Sequence, residues 1–313
     1  MTRVLPLFFA VALAVPAADP PAGVVSFKQA PGGLDVRIDD RTVAEYVHGD
    51  AKILRPYFRH LRTRTGIQVT RTSPPVAGTD ADDHATMHPG LWLAFGDLGG
   101  GDFWRNKGRV KHVGFAIEPK GGPGRGSFVV RNDYEANGKT ICTEECEVAV
   151  TAKPDGYRLD WASTITVKEA IAFGDQEEMG LGLRVATPLT VKKGGAILNA
   201  DGRKDEAQVW GKTAAWCAYG GEIDRQRVGV VLMPDPGNFR PCWFHARDYG
   251  LLVANPFGRK AFTKGEASRV EVKPGEPFRL RFGVEVYAVP ADRTPDVAAM
   301  YREYLKRDER RAP

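Results

Sequence analysis

Apolar and polar residues alternate with a period of two along much of this chain, and that pattern rules out most folds. Residues 34–38, 67–71, 127–130, 147–150, 158–167, 228–232 and 278–286 all read as half-buried strands. Successive side chains of an extended strand point to opposite faces, so each run forms a ribbon with one apolar side. Gly and Pro punctuate the runs at 119–126 and 193–195, as connecting loops require. One segment carries a convincing helix signal: Thr294 as its cap, Pro295 at its first position, and Val297, Met300, Tyr301 and Leu305 on one face. Many strands and one late helix predict an all-β protein, a large antiparallel β-sandwich with one C-terminal helix. No repeat, Ser/Gly linker or shift in composition divides the chain, so residues 19–313 are expected to form one domain with a short frayed tail. Residues 121–124 are the best candidate boundary, but similar strands flank them, which predicts a surface loop.

Arg3, the apolar run from Val4 to Val15 and the small residues Pro16-Ala17-Ala18 follow the order of a secretory signal. Residues 1–18 are therefore expected to be removed, giving a periplasmic or secreted protein. The run is too short to span a bilayer, and no later segment is long and apolar enough, so no stable membrane span is expected. The net charge of +5 is modest and the charges are interspersed, which argues against nucleic acid. Four cysteines in an exported chain permit three disulfide pairings. Cys142 and Cys146 are close enough in sequence to close a small loop, and Cys217 and Cys242 would need cross-strand proximity. Structural or free thiols are favoured over metal ligation, because no second tight pair exists.

Three stretches concentrate ionisable and aromatic residues outside any helical period. The first runs from Asp82 and Asp83 through His84 and His88 to Trp92. His84 and His88 are four apart, like some metal-binding pairs, but Pro89-Gly90 ends any helix there and no third ligand is evident. A metal at these two residues is a minor alternative, and no cofactor is expected. In the second stretch, the adjacent Glu177 and Glu178 would face opposite ways on a strand, and Arg184 would share a side with Glu178. A buried Arg there needs an acidic partner or an anion. In the third stretch His245 and Arg247 are two apart, so a strand puts both on one face beside Trp243, with Asn255 following. Rings with apolar faces beside charged groups suit a polar ligand with apolar ring faces, such as a sugar.

Residues 84–97, 102–106, 173–188 and 243–258 resemble the exported bacterial family labelled "methane oxygenase PmoA", whose domain has no known function. The likeness covers nearly the whole chain after residue 18. It implies a β-rich exported protein encoded beside sugar-processing enzymes, with the β-supersandwich of galactose mutarotases and related polysaccharide lyases as the fold by analogy. No mutarotase motif carries over residue by residue. A copper methane monooxygenase subunit is a bundle of transmembrane helices, and this chain offers none after residue 18.

The leading expectation is acid–base chemistry on a sugar or keto-sugar, of the epimerase or lyase kind, acting on a small-molecule or oligosaccharide substrate. Glu178 would be the base and His88 or His245 the acid. Arg184 and Arg247 would hold a developing oxyanion, Trp92 or Trp243 would stack on the ring, and Asp83, His84 and Asn255 would complete the binding set. The alternatives are a non-catalytic carbohydrate-binding protein and a metal-dependent oxygenase, as the family label implies. Substrate and oligomeric state stay open.

Overall fold

The computed structural model describes residues 22–306; the expected signal at 1–18 and the tail from residue 307 onward lie outside them. Among the described residues the chain forms a ten-stranded and an eight-stranded antiparallel sheet, with a separate two-stranded ribbon. The expectation of a large antiparallel β-protein therefore stands. The ten-stranded sheet runs, edge to edge, through Lys212–Thr213, Trp243–Ala246, Leu251–Asn255, Met179–Arg184, Leu91–Phe95, Tyr57–Arg59, Arg41–Val47, Gly33–Ile38, Val24–Ala30 and Gly122–Pro123. The eight-stranded sheet begins at Ala196–Asn199 and ends at the edge strand Arg109–Lys120. Its long central strands, Gly156–Thr166 and Phe278–Pro290, pair along ten residues of each.

The main core lies between the two sheets, and alternation supplies it: Trp161, Ser163 and Ile165 are buried while Thr166 is exposed. The strands Leu91–Phe95, Met179–Arg184 and Leu251–Asn255 behave differently, because every residue in them is buried. One face meets the core. The other is covered by loops and carries a second apolar cluster of Ile53, Tyr57, Trp92, Ala94, Trp104, Leu251 and Val253. Two-sided burial explains why these strands read as almost continuous apolar runs.

Four local expectations need correction. Residues 67–71 make only isolated bridges, Arg62 to Gln68 and Thr70 to Val185, the second closed by the Arg71 amide on the Arg184 carbonyl and the Ala186 amide on the Val69 carbonyl. Residues 122–123 are not a free loop but pair with Val24 and Val25 at the sheet edge. The C-terminal helix is Val297–Leu305, capped by the Asp296 carboxylate on the Ala299 amide and not by Thr294; Tyr304 is buried and Leu305 exposed. Two further helices, Asp205–Val209 and Arg259–Thr263, are single turns, too short to leave a periodic signal. All four cysteines are buried free thiols. Cys142 and Cys146 sit on one continuous strand, about 13 Å apart by the rise per residue, so no small loop can be bridged.

Candidate functional site

Strand register brings distant parts of the sequence to one face. Across the ten-stranded sheet His245 pairs with Val253, Val253 with Gly182, and Gly182 with Trp92. Paired residues share a face, so this row lies on the loop-covered side, with His245 and Trp92 three strand spacings, about 14 Å, apart. Two polar centres form on this face, and Tyr249 stands between them.

The first centre is built on Arg184. Its guanidinium takes both oxygens of Asp83, at 2.9 and 2.8 Å, and the Tyr249 ring covers it at 4.5 Å. Arg184 and Arg71 are each 1% exposed, and Arg71 reaches the same carboxylate at 3.7 Å. The buried Arg thus finds its acidic partner in Asp83 and not in Glu178. Arg184 holds the Asp83 carboxyl well below the usual carboxylate range. His84 accepts or donates at Asp83 through Nδ1 (2.9 Å) and stacks on His88, which stacks on Trp92. Arg71 donates to the carbonyls of Ala81, Asp83, His84 and His88, and Arg55 to that of Met87, so loop 80–88 is fixed by its backbone.

The second centre is built on Arg247. It donates to His245 Nε2 (3.0 Å), to Glu206 (2.8 Å) and to Glu177 (3.1 Å). As predicted from their spacing, His245 and Arg247 share a face. Because Nε2 accepts from Arg247, Nδ1 carries the proton and faces the Glu177 carbonyl at 3.3 Å. Burial raises the Glu177 carboxyl, with Arg247 opposing and Glu178 reinforcing. Burial also pushes Glu206 up, but the Asp248 amide and Arg247 outweigh it and leave the group lowered. Half-buried Trp210 and Trp243 flank the centre. Arg247 lies 5.5 Å from the Trp210 ring, and Phe262 packs on both indoles.

Several expected roles change. Glu178 turns to the opposite flank and pairs with Arg105 at 2.7 Å, so Glu177 is the glutamate that faces His245. The turn at 174–178 and the left-handed Gly180, at φ +108, undo the regular strand that would align Glu178 with Arg184. His88 and His245 are both 4% exposed. Burial and the neighbouring Arg184 lower His88 to about 2, and burial and Arg247 lower His245 to about 4, so neither is a protonated acid at neutral pH. Trp92 is fully buried, with His88 stacked against it and Arg55 5.7 Å from its ring centre, and offers no open face for stacking. Asn255 is also fully buried; it donates to the carbonyls of Gln176 and Glu177 and accepts from the amides of Phe257 and Gly258. Its part is to hold the turn that presents Glu177. Among the described residues no three His, Cys, Asp or Glu side chains are grouped to hold a metal ion.

Sequence reasoning did not single out Arg71, Glu206, Trp210 or Tyr249 as site residues. Tyr249 sits inside a stretch already marked by its composition. Glu206 meets Arg247 across 41 residues and leaves no local trace.

A model of a family of unknown function matches residues 33–300. No curated protein matches the chain. Among solved structures the chain is similar to a galactose mutarotase-like protein from Clostridium acetobutylicum, at 9% identity and TM-score 0.37, covering 84% of this chain and 94% of that one. It is also similar to a galactose mutarotase related enzyme from Lactobacillus acidophilus, at 10% identity and TM-score 0.32, over 87% and 99%. A heparinase III gene product matches at 10% identity and TM-score 0.34, over 88% of this chain but only 36% of its own length. The chain thus spans about a third of that protein. Among the described residues no helix is long and apolar enough to cross a membrane.

Proposed function

The chain belongs to that family, DUF6807, and from its site we propose that it is a carbohydrate-active protein that takes a sugar over the loop-covered face of the ten-stranded sheet. The observation that carries this reading is the Glu177–His245–Arg247–Glu206 centre flanked by half-buried Trp210 and Trp243. Carboxylates and a guanidinium meet hydroxyl groups, and indole faces meet the C–H faces of a pyranose ring. Glu177 is the acid–base group in this reading. It is about a third exposed, its pKa is raised, and Arg247 beside it can stabilise charge that develops on the substrate. His245 positions Arg247 and transfers no proton itself.

A specific observation favours a second reading, a non-catalytic sugar-binding protein. Both buried histidines have a nitrogen facing an arginine, and the charged groups of the second centre are paired with one another.

One experiment separates the two. Purified protein is screened by NMR against sugars and keto-sugars for binding and for turnover, before and after chelator treatment. The catalytic reading expects turnover that survives the chelator. Glu177→Gln should then cut the rate by about 10²-fold or more while binding is kept, and Trp243→Ala should weaken binding. Saturable binding that Trp243→Ala abolishes, with no turnover of any sugar, would leave the binding reading. Loss of neither binding nor turnover in both variants would remove the site altogether.

A further inference from the structure

We propose that Arg184 is a receptor for a ligand carboxylate, with the Asp83 side chain seated on it as a displaceable stand-in, so that the sugar taken is an acidic one of the uronate class.

The geometry around Arg184 is that of a carboxylate site already in use. Two parallel N–H···O bonds, at 2.8 and 2.9 Å, join the Arg184 fork to both oxygens of Asp83. That planar, bidentate match is what a guanidinium makes with a carboxylate of any origin. The receptor half is rigid and buried: Arg184 is 1% exposed, and the Tyr249 ring lies on its face. The carboxylate half is not. The Asp83 side chain is 39% exposed, at the rim of the face described above.

Among groups in contact, the two guanidiniums also outnumber the carboxylates. Arg71 and Arg184, both buried, share the single carboxylate of Asp83, which stands 3.7 Å from Arg71. If a ligand carboxylate took Arg184, Asp83 would remain within reach of Arg71, and two guanidiniums would face two carboxylates. Buried charge is costly without a partner in contact, so the exchange gives each guanidinium a carboxylate of its own. The orphaned polar atoms nearby agree. Arg55 Nε, Arg71 Nε and Trp92 Nε1 are buried without a protein acceptor, and all three are donors. Arg55 lies by the Trp92 ring, and His88 stacks on that ring while its carbonyl accepts from Arg71. Elsewhere among the described residues orphaned donors and acceptors are mixed, as with Arg158 and Glu285. A unit that lacks only acceptors suits an anion better than a neutral group. A single charge fits better than a phosphate dianion, because Asp80 and Asp82 also lie within electrostatic range of Arg71.

The exchange needs little motion. The carbonyls of Ala81, Asp83, His84 and His88 are held by Arg71, so the loop backbone stays in place. The group that has to leave the fork is the Asp83 side chain, which also gives up its bond to His84. Only the carrier of the carboxylate, a sugar, rests on the function proposed above.

Thermal unfolding and tryptophan fluorescence of the full chain, titrated with sodium glucuronate, sodium acetate and glucose at one ionic strength, test the proposal. Glucuronate is expected to bind at least about ten-fold more tightly than glucose, a difference of about 1.4 kcal/mol. Arg184→Lys keeps the charge but loses the fork, and should bring that preference below about two-fold. Should Arg184→Lys not fold, Asp83→Asn carries the test: it should melt lower than wild type and gain more from either carboxylate than wild type does. Acetate binding without glucuronate binding supports the receptor and assigns it to free carboxylic acids, overturning only the sugar carrier. Equal binding of glucuronate and glucose overturns the proposal while leaving the sugar-binding reading intact. So does an Asp83→Asn shift no larger than sodium chloride produces.

Discussion

His245 shows how one side chain couples the site to stability. Burial and Arg247 lower its folded pKa to about 4 from an ordinary 6.5. The folded value is below the unfolded one, so between those two pH values the unfolded chain holds the extra proton. Stability contributed by the neutral ring is therefore full above pH 6.5 and is lost as pH falls toward 4. At full extent that loss is about 3 kcal/mol for a residue so deeply buried. Urea unfolding of wild type between pH 7 and pH 4 should show falling midpoints, and His245→Gln should be flatter over that window. A wild-type profile as flat as the variant's would mean that His245 is charged or exposed in the folded protein. His88 acts in the same direction over the same window and goes on losing stability below pH 4, because burial and Arg184 depress it further, so the His245→Gln profile keeps part of the slope.

At the scale of the element, the sheet makes room for its large rings through glycine. A Cβ at Gly182 would come within 2.9 Å of Trp92 and 3.2 Å of Trp104, whose rings cannot retreat from a buried cluster. Gly182→Ala should cost about 1–3 kcal/mol by overpacking. It should also perturb the near-ultraviolet circular dichroism of the tryptophans; an unchanged spectrum with unchanged stability would show that the rings do not rest on that glycine. The same elements show what was legible from sequence. Strands with one dry and one wet face, such as Gly156–Thr166, declare themselves by alternation. The shared face of His245 and Arg247 followed from strand geometry alone, since residues two apart must lie together. The choice between Glu177 and Glu178 did not, because it depends on the turn at 174–178 and on the left-handed Gly180. The partnership of Arg184 with Asp83 spans 101 residues and belongs to tertiary structure only.

At the scale of the whole molecule, burial governs the thiols. Cys142, Cys146, Cys217 and Cys242 are each within 3% of full burial, and burial pushes every thiol upward. A thiol reagent should therefore label none of the four in the native protein and all four after unfolding. Labelling of only two on unfolding without reductant would reveal a disulfide. The seam between Leu91–Phe95 and Met179–Arg184 has a different consequence. These neighbours in the ten-stranded sheet are separated in sequence by four long strands of the other sheet, Arg109–Lys120, Arg125–Ala136, Lys139–Lys153 and Gly156–Thr166. Closing so long a loop is a slow, entropically expensive event in folding. A growing chain that has made only its first hundred residues already contains His88 and Trp92 but has no Arg184 to set beside them. A ligand that needs both sides of the seam binds only the finished molecule, so its capture is a test of complete folding as much as of chemistry.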